Sequence, residues 1–159
     1  MSNPVIVPPV RPYRGTRAND AWGSGLFLAS RDGGSRKHLG RDFVSVPGDE
    51  IPAVFKGRTS RAGFAYPDGK LHSLWLEGQD EWEGWRAQYL YVALSADAIV
   101  GIDFQQGETV AFAEDVAAYY AAKDPTRKMT NHVHLMLIGP VDPGIYLPTD
   151  LVIKKDLTA

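Results

Sequence analysis

Residues 35–43 read SRKHLGRDF, and residues 131–135 read NHVHL. The two stretches hold three of the chain's 4 histidines, His38, His132 and His134, together with Asp42. In a β-strand, residues i and i+2 point to the same face, which puts His132 and His134 together with Cα atoms roughly 7 Å apart. One of them can then grip a metal ion while its neighbour reaches over the ion's open side. Fully extended, His38 and Asp42 would be about 13 Å apart, too far to clasp one ion. A bend is therefore expected between them, and Gly40 permits one. His38, Asp42 and His134 make a two-histidine, one-carboxylate set. Zinc is its natural occupant, one ion per chain, with the fourth position left for water. Such an ion lowers the pKa of water and polarises a carbonyl. The competing explanation is accident, because either spacing alone also arises without a metal.

Composition narrows the field. A chain of 159 residues, 44% hydrophobic and 23% charged, is most simply one globular domain with its own core. A net charge of -2 gives no basis for a nucleic-acid or membrane-surface partner. Without cysteine there are neither disulfides nor thiolate metal sites, so any metal must be held by histidine and carboxylate. No charged-then-apolar leader opens the chain, and no apolar run reaches about 18 residues. The expectation is a soluble monomer made in the cytoplasm, without membrane insertion. If it works outside the cell, something else must carry or release it.

The remainder reads as mainly β. Residues 1–15, with four prolines among the first 12, are expected to form an extended arm, with a single domain over 16–159. IPAVFKGRTSRAGFAY (51–66) suggests two strands around Gly57, and YPDGK (66–70) a turn. LHSLWLEG (71–78), AQYLYVAL (87–94) and HVHLMLIG (132–139) suggest strands, and GIDFQQGETVAF (101–112) a hairpin. AEDVAAYYAAKD (113–124) is the one helical candidate.

The run GSGLFLASRDGGSRKHLGRDFVSVPGDEIPAVFKG (23–57) resembles the opening of the lysostaphin/LytM-type zinc metallopeptidases: a glycine-rich strand, an arginine before H-x-x-x-D, a proline-glycine turn and a strand ending in glycine. HVHL resembles their closing H-x-H, and FQQGETVAF their preceding V-x-x-G-x-x-V hairpin, so that the likeness spans about residues 22–143. It implies a compact antiparallel β domain with a groove over its sheet and one short helix. It also implies zinc held by His38, Asp42 and His134, and a catalytic His132 that orients the attacking water or stabilises the oxyanion. The implied substrates are peptides of bacterial peptidoglycan. Such an enzyme would suit a phage lysin, a virion-borne wall enzyme or an exported effector.

One departure stands out. Members of the family usually carry a second catalytic histidine in Y-x-H-L, where this chain has Tyr91-Val92-Ala93-Leu94. Alanine neither donates nor accepts a proton. The leukocyte cell-derived chemotaxin relatives share such a loss and use the fold as a zinc-stabilised binding module, which is the alternative function. Alternation puts Tyr89 and Tyr91 on one face leading to Ala93. Tyr91 is then a candidate oxyanion donor and Tyr89 a candidate substrate contact, unless both are core or groove wall. Arg36 beside His38 and Trp75 are further candidate substrate contacts. The alternatives are a solvated loop charge for Arg36 and, for Trp75 with Trp82 and Trp85, packing of a long loop. His72 shares a face with Leu74 and Leu76 and is expected in the core. Asn131 either opens the strand or holds a ligand from behind. Met136 replaces a glutamate frequent in the family.

Overall fold

The computed structural model describes residues 5–25, 30–31, 36–37, 40–96 and 100–139, with the backbone alone at 30–31 and 36–37. The proline-rich tail after residue 139 lies outside them. In chain order the strands are β1 (Asn19–Asp20), β2 (Gly23–Ser24), β3 (Ser30–Arg31), β4 (Arg36–Lys37), β5 (Arg41–Val44), β6 (Glu50–Pro52), β7 (Gly57–Phe64), β8 (His72–Gly78), β9 (Arg86–Leu90), β10 (Val92–Leu94), β11 (Asp103–Phe104), β12 (Thr109–Ala113) and β13 (His132–Ile138). The helix α1 covers Val116–Lys123, where the Asp115 carboxylate accepts from the Ala118 amide and caps its first turn.

A larger sheet runs β11-β7-β8-β9-β13-β5 and a smaller one β10-β12-β6, with β1–β2 and β3–β4 as short pairs. The pairings are antiparallel throughout. One apolar core fills the space between the two sheets. Leu74, Leu76, Tyr89, Val133, Leu135 and Leu137 enter it from the larger sheet, and Ile51, Val92, Val110 and Ala111 from the smaller. Fully burying a leucine contributes about 1.5–3 kcal/mol, so the alternation in β13 fixes which of its faces turns away from the core.

Two expectations are revised. The segment 101–112 is no hairpin: β11 pairs with β7, whereas β12 pairs with β6 and β10. Between them, Gly107 adopts φ 89° and the Glu108 amide donates to Gln105 O, a turn that carries the chain from one sheet to the other. The stretch 87–94 is not one strand either. It breaks at Tyr91, whose φ of 69° is left-handed, and continues as β10 in the smaller sheet. A left-handed tyrosine costs roughly 1–3 kcal/mol and persists only where its surroundings dictate it. Here the Tyr91 amide donates to His72 O, and Tyr91 O accepts from the Glu114 amide. Described residues of the N-terminal stretch pack against the rest of the chain. Val7 N donates to Val54 O, Arg11 bridges to Glu50, and Ile6 and Val10 belong to the core.

Candidate active site

The register of β5 against β13 sets His134 opposite Asp42 and His132 opposite Val44. Directly opposed residues share a face, so Asp42, His132 and His134 stand together on the side of the sheet away from the core. All three are buried. Asp42 Oδ1 lies 3.3 Å from His134 Nδ1, and Asp42 Oδ2 lies 3.5 Å from His132 Nε2. Oδ2 also accepts from Arg17 Nη1 at 2.9 Å.

Gly40 lies at a bend, as expected, and it also leaves room. A Cβ at this position would sit 2.5 Å from Leu135 O and 2.6 Å from two ring atoms of His134. Gly40→Ala is expected to cost about 1–3 kcal/mol in thermal unfolding and, if His134 holds a zinc ion, to weaken its binding at least tenfold, as judged by chelator competition. Unchanged affinity would mean that the ring need not hold its place.

The His132 ring is oriented from behind. Its Nδ1 lies 2.8 Å from Thr130 O. A carbonyl only accepts, so in the neutral ring Nδ1 carries the proton and Nε2 presents a lone pair toward Asp42. Burial pushes the imidazole below its ordinary pKa, outweighing the pull of Asp42 and of the Thr130 carbonyl. Tyr91 meets this ring edge-on, with centroids 5.3 Å apart. Its hydroxyl lies 2.7 Å from that of Tyr66, which in turn lies 2.6 Å from that of Tyr120. Burial pushes all three phenols up, so they stay protonated at neutral pH.

The remaining candidates scatter. Tyr89 is fully buried on the core face, where its hydroxyl accepts from Val54 N and donates to Pro52 O. It cannot reach a substrate, because the break at Tyr91 separates two tyrosines that strict alternation would align. Tyr89→Phe is expected to leave catalysis unchanged and to lower stability by about 1–3 kcal/mol in denaturant unfolding, since it strips a partner from two buried backbone groups. Trp75 pairs with Gln88, which pairs with Met136. It therefore lies on the His134 face, two strands from β13, with the Arg86 guanidinium 4.4 Å over its ring. Trp82 is buried and stacks on Phe55 at 5.0 Å, while Trp85 meets it edge-on; both pack their loop.

His72 is not a core residue. It sits at the rim, its Nδ1 2.8 Å from Glu114 and its ring 5.4 Å from Phe64, because β8 starts where the core ends. Asn131 joins Ser45, the Glu114 carbonyl and the first turn of α1. Ala93 lies half-buried opposite Phe112 in the smaller sheet. His38 is outside the described residues, and Arg36 is described only by its backbone in β4.

Sequence reading passed over Arg17 and Asp20. Arg17 is 3% exposed and grips Asp20 through Nε and Nη2 as well as Asp42 through Nη1. Nothing local marks a single arginine in TRAND as buried.

Among the described residues no group of three or more His, Cys, Asp or Glu side chains is placed to hold a metal ion, and His38 is not one of those residues. The donor pair that is described fits a cation nonetheless. The 3.3 Å between Asp42 Oδ1 and His134 Nδ1 is long for a hydrogen bond. Tetrahedral zinc with bonds of about 2.0–2.2 Å sets neighbouring donors about 3.3–3.5 Å apart.

Solved structures share this architecture. The catalytic domain of the antimicrobial peptidase lysostaphin from Staphylococcus simulans matches at TM-score 0.58 and 17% identity, over 89% of this chain and 92% of that one. LytU matches at TM-score 0.63 and 16% identity, over 91% and 88%. The fold is of the lysostaphin/LytM type. A zinc-containing peptidase from Vibrio cholerae shares the lysostaphin/LytM fold at TM-score 0.53 and 16% identity, over 84% of this chain but 39% of that one. No protein-family model matches the sequence, and no curated protein does. Among the described residues no helix is long and apolar enough to cross a membrane.

Proposed function

We propose that this protein is a zinc-dependent endopeptidase acting on peptides of bacterial peptidoglycan. The observation that carries the proposal is the pairing on one sheet face of a candidate ligand edge, Asp42 Oδ1 with His134 Nδ1, and a buried imidazole, His132. In this reading His38 completes the ligand set. A zinc ion so held polarises the scissile carbonyl and lowers the pKa of water.

The chain's own groups do the rest. His132 Nε2 takes a proton from the attacking water and returns it to the departing amine, so the C–N bond breaks to an acid and an amine. Tyr91, protonated and in ring contact with His132, supplies a hydrogen bond to the oxyanion that Ala93 cannot. Trp75 and Arg36 are left as groove contacts for the peptide. The test is incubation of the zinc-loaded protein with purified peptidoglycan and with oligoglycine, with new amines as readout. Cleavage that chelation abolishes supports the proposal; no cleavage by folded, zinc-loaded protein refutes it.

Ala93 motivates a second reading, a zinc-stabilised binding module of the same fold. Stoichiometric zinc and saturable peptidoglycan binding without release of amines would select it.

A further inference from the structure

Asp42 and His132 are joined by more than proximity. Arg17 donates from Nη1 to Asp42 Oδ2 at 2.9 Å, from Nε to Asp20 Oδ2 at 2.8 Å, and from Nη2 to Asp20 Oδ1 at 2.7 Å and Gly23 O at 3.2 Å. Asp20 in turn accepts from the Trp22 and Thr130 amides. Thr130 O receives His132 Nδ1, and His132 Nε2 lies 3.5 Å from Asp42 Oδ2. Hydrogen bonds thus run in a chain from Asp42 through Arg17, Asp20 and Thr130 to His132, whose free ring nitrogen comes back beside Asp42. The backbone locks it from one side: Arg17 N donates to Asp42 O, Asp42 N to Gly25 O, and Gly25 N to Ala18 O. Gly25 has no room for a side chain, since a Cβ would lie 2.8 Å from that of Asp42 and 2.7 Å from Arg17 O.

We infer that the Arg17–Asp20 ion pair is the positioning device of this site, aiming the Asp42 carboxylate and the His132 ring together. The inference rests on the zinc reading above. Arg17 holds Oδ2 in a hydrogen bond, which fixes the carboxylate with Oδ1 turned toward His134. A metal held by Asp42 and His134 would supply Lewis acidity, and a carboxylate fixed in this way would favour binding through one oxygen. Asp20, through Thr130, holds His132 in the tautomer whose Nε2 is bare. A guanidinium suits the task because its planar fork meets Asp20 with two N–H groups while a third reaches Asp42. A lysine ammonium has no such fixed geometry.

The experiment compares wild type with Arg17→Lys and Asp20→Asn, each loaded with Co2+ or Zn2+ and checked for folding by circular dichroism. Four-coordinate Co2+ absorbs visible light strongly, and a fifth donor weakens the band. In Arg17→Lys, release of Oδ2 is expected to weaken that band and to raise the zinc dissociation constant about 10–100-fold. In the cleavage assay kcat should fall by a similar factor, with KM within about twofold. A folded Arg17→Lys protein with the wild-type cobalt spectrum overturns the inference. Should that variant not fold, Asp20→Asn decides by zinc binding: a rise of about tenfold in the dissociation constant supports positioning, and no change refutes it. Wild type that binds metal without cleaving anything sinks the endopeptidase reading yet still lets the spectrum judge Arg17. Wild type that takes up no metal sinks both.

Discussion

Asp42→Ala is expected to abolish zinc binding and with it at least about a 10^3-fold share of kcat/KM, given the several kcal/mol of charge stabilisation a metal supplies. Three losses fall together at this position. The ligand edge opposite His134 disappears, the oxygen facing His132 disappears, and Arg17 keeps only Asp20 as its carboxylate partner. Removing an acceptor from a buried guanidinium costs about 1.5–3 kcal/mol, so unfolding of the metal-free variant should move down by that amount. The full effect on wild type should be larger when zinc is present, because a ligand bound only by the folded state adds its binding free energy to stability. Elemental analysis and thermal melts with and without chelator give both numbers. Retained stoichiometric zinc in the variant would remove Asp42 from the ligand set.

His132→Ala separates chemistry from metal binding. Asp42 and His134 stay in place, so zinc stoichiometry should match wild type, while kcat drops about 10^2–10^4-fold, the usual contribution of one positioned acid–base group. KM should change little if His132 acts in the transition state rather than in binding. Turnover at the wild-type rate would show that the proton moves by another route. Loss of zinc would instead place His132 among the ligands.

How far these features could be read in advance follows from how local each is. His132 and His134 share a face through strand geometry alone, and β8, β13 and α1 announce themselves in alternating or alanine-rich runs. Gly40 is legible as the place of a bend, and the structure bends there; the room it leaves is not legible. Backbone freedom is visible in any glycine, whereas the approach of a ring 94 residues away in sequence is not (Gly40 to His134). Tyr91 carries no mark of its left-handed backbone, and that one residue undid the alignment of Tyr89, Tyr91 and Ala93. The segment 101–112 has the turn residues of a hairpin, and only the existence of a second sheet tells its halves apart. Arg17 and Asp20 earn their roles from Asp42 and Thr130, partners 25 and 110 residues distant.

Strand β13 lies between β9 and β5 with nearly all of its side chains buried. Its amides should therefore be among the slowest in the chain to trade hydrogen for deuterium, because releasing them requires the sheet to come apart. Two of the proposed working imidazoles thus ride on a rigid rail. If the proposed function holds, a peptide would meet these imidazoles already in place and would not need to induce their arrangement.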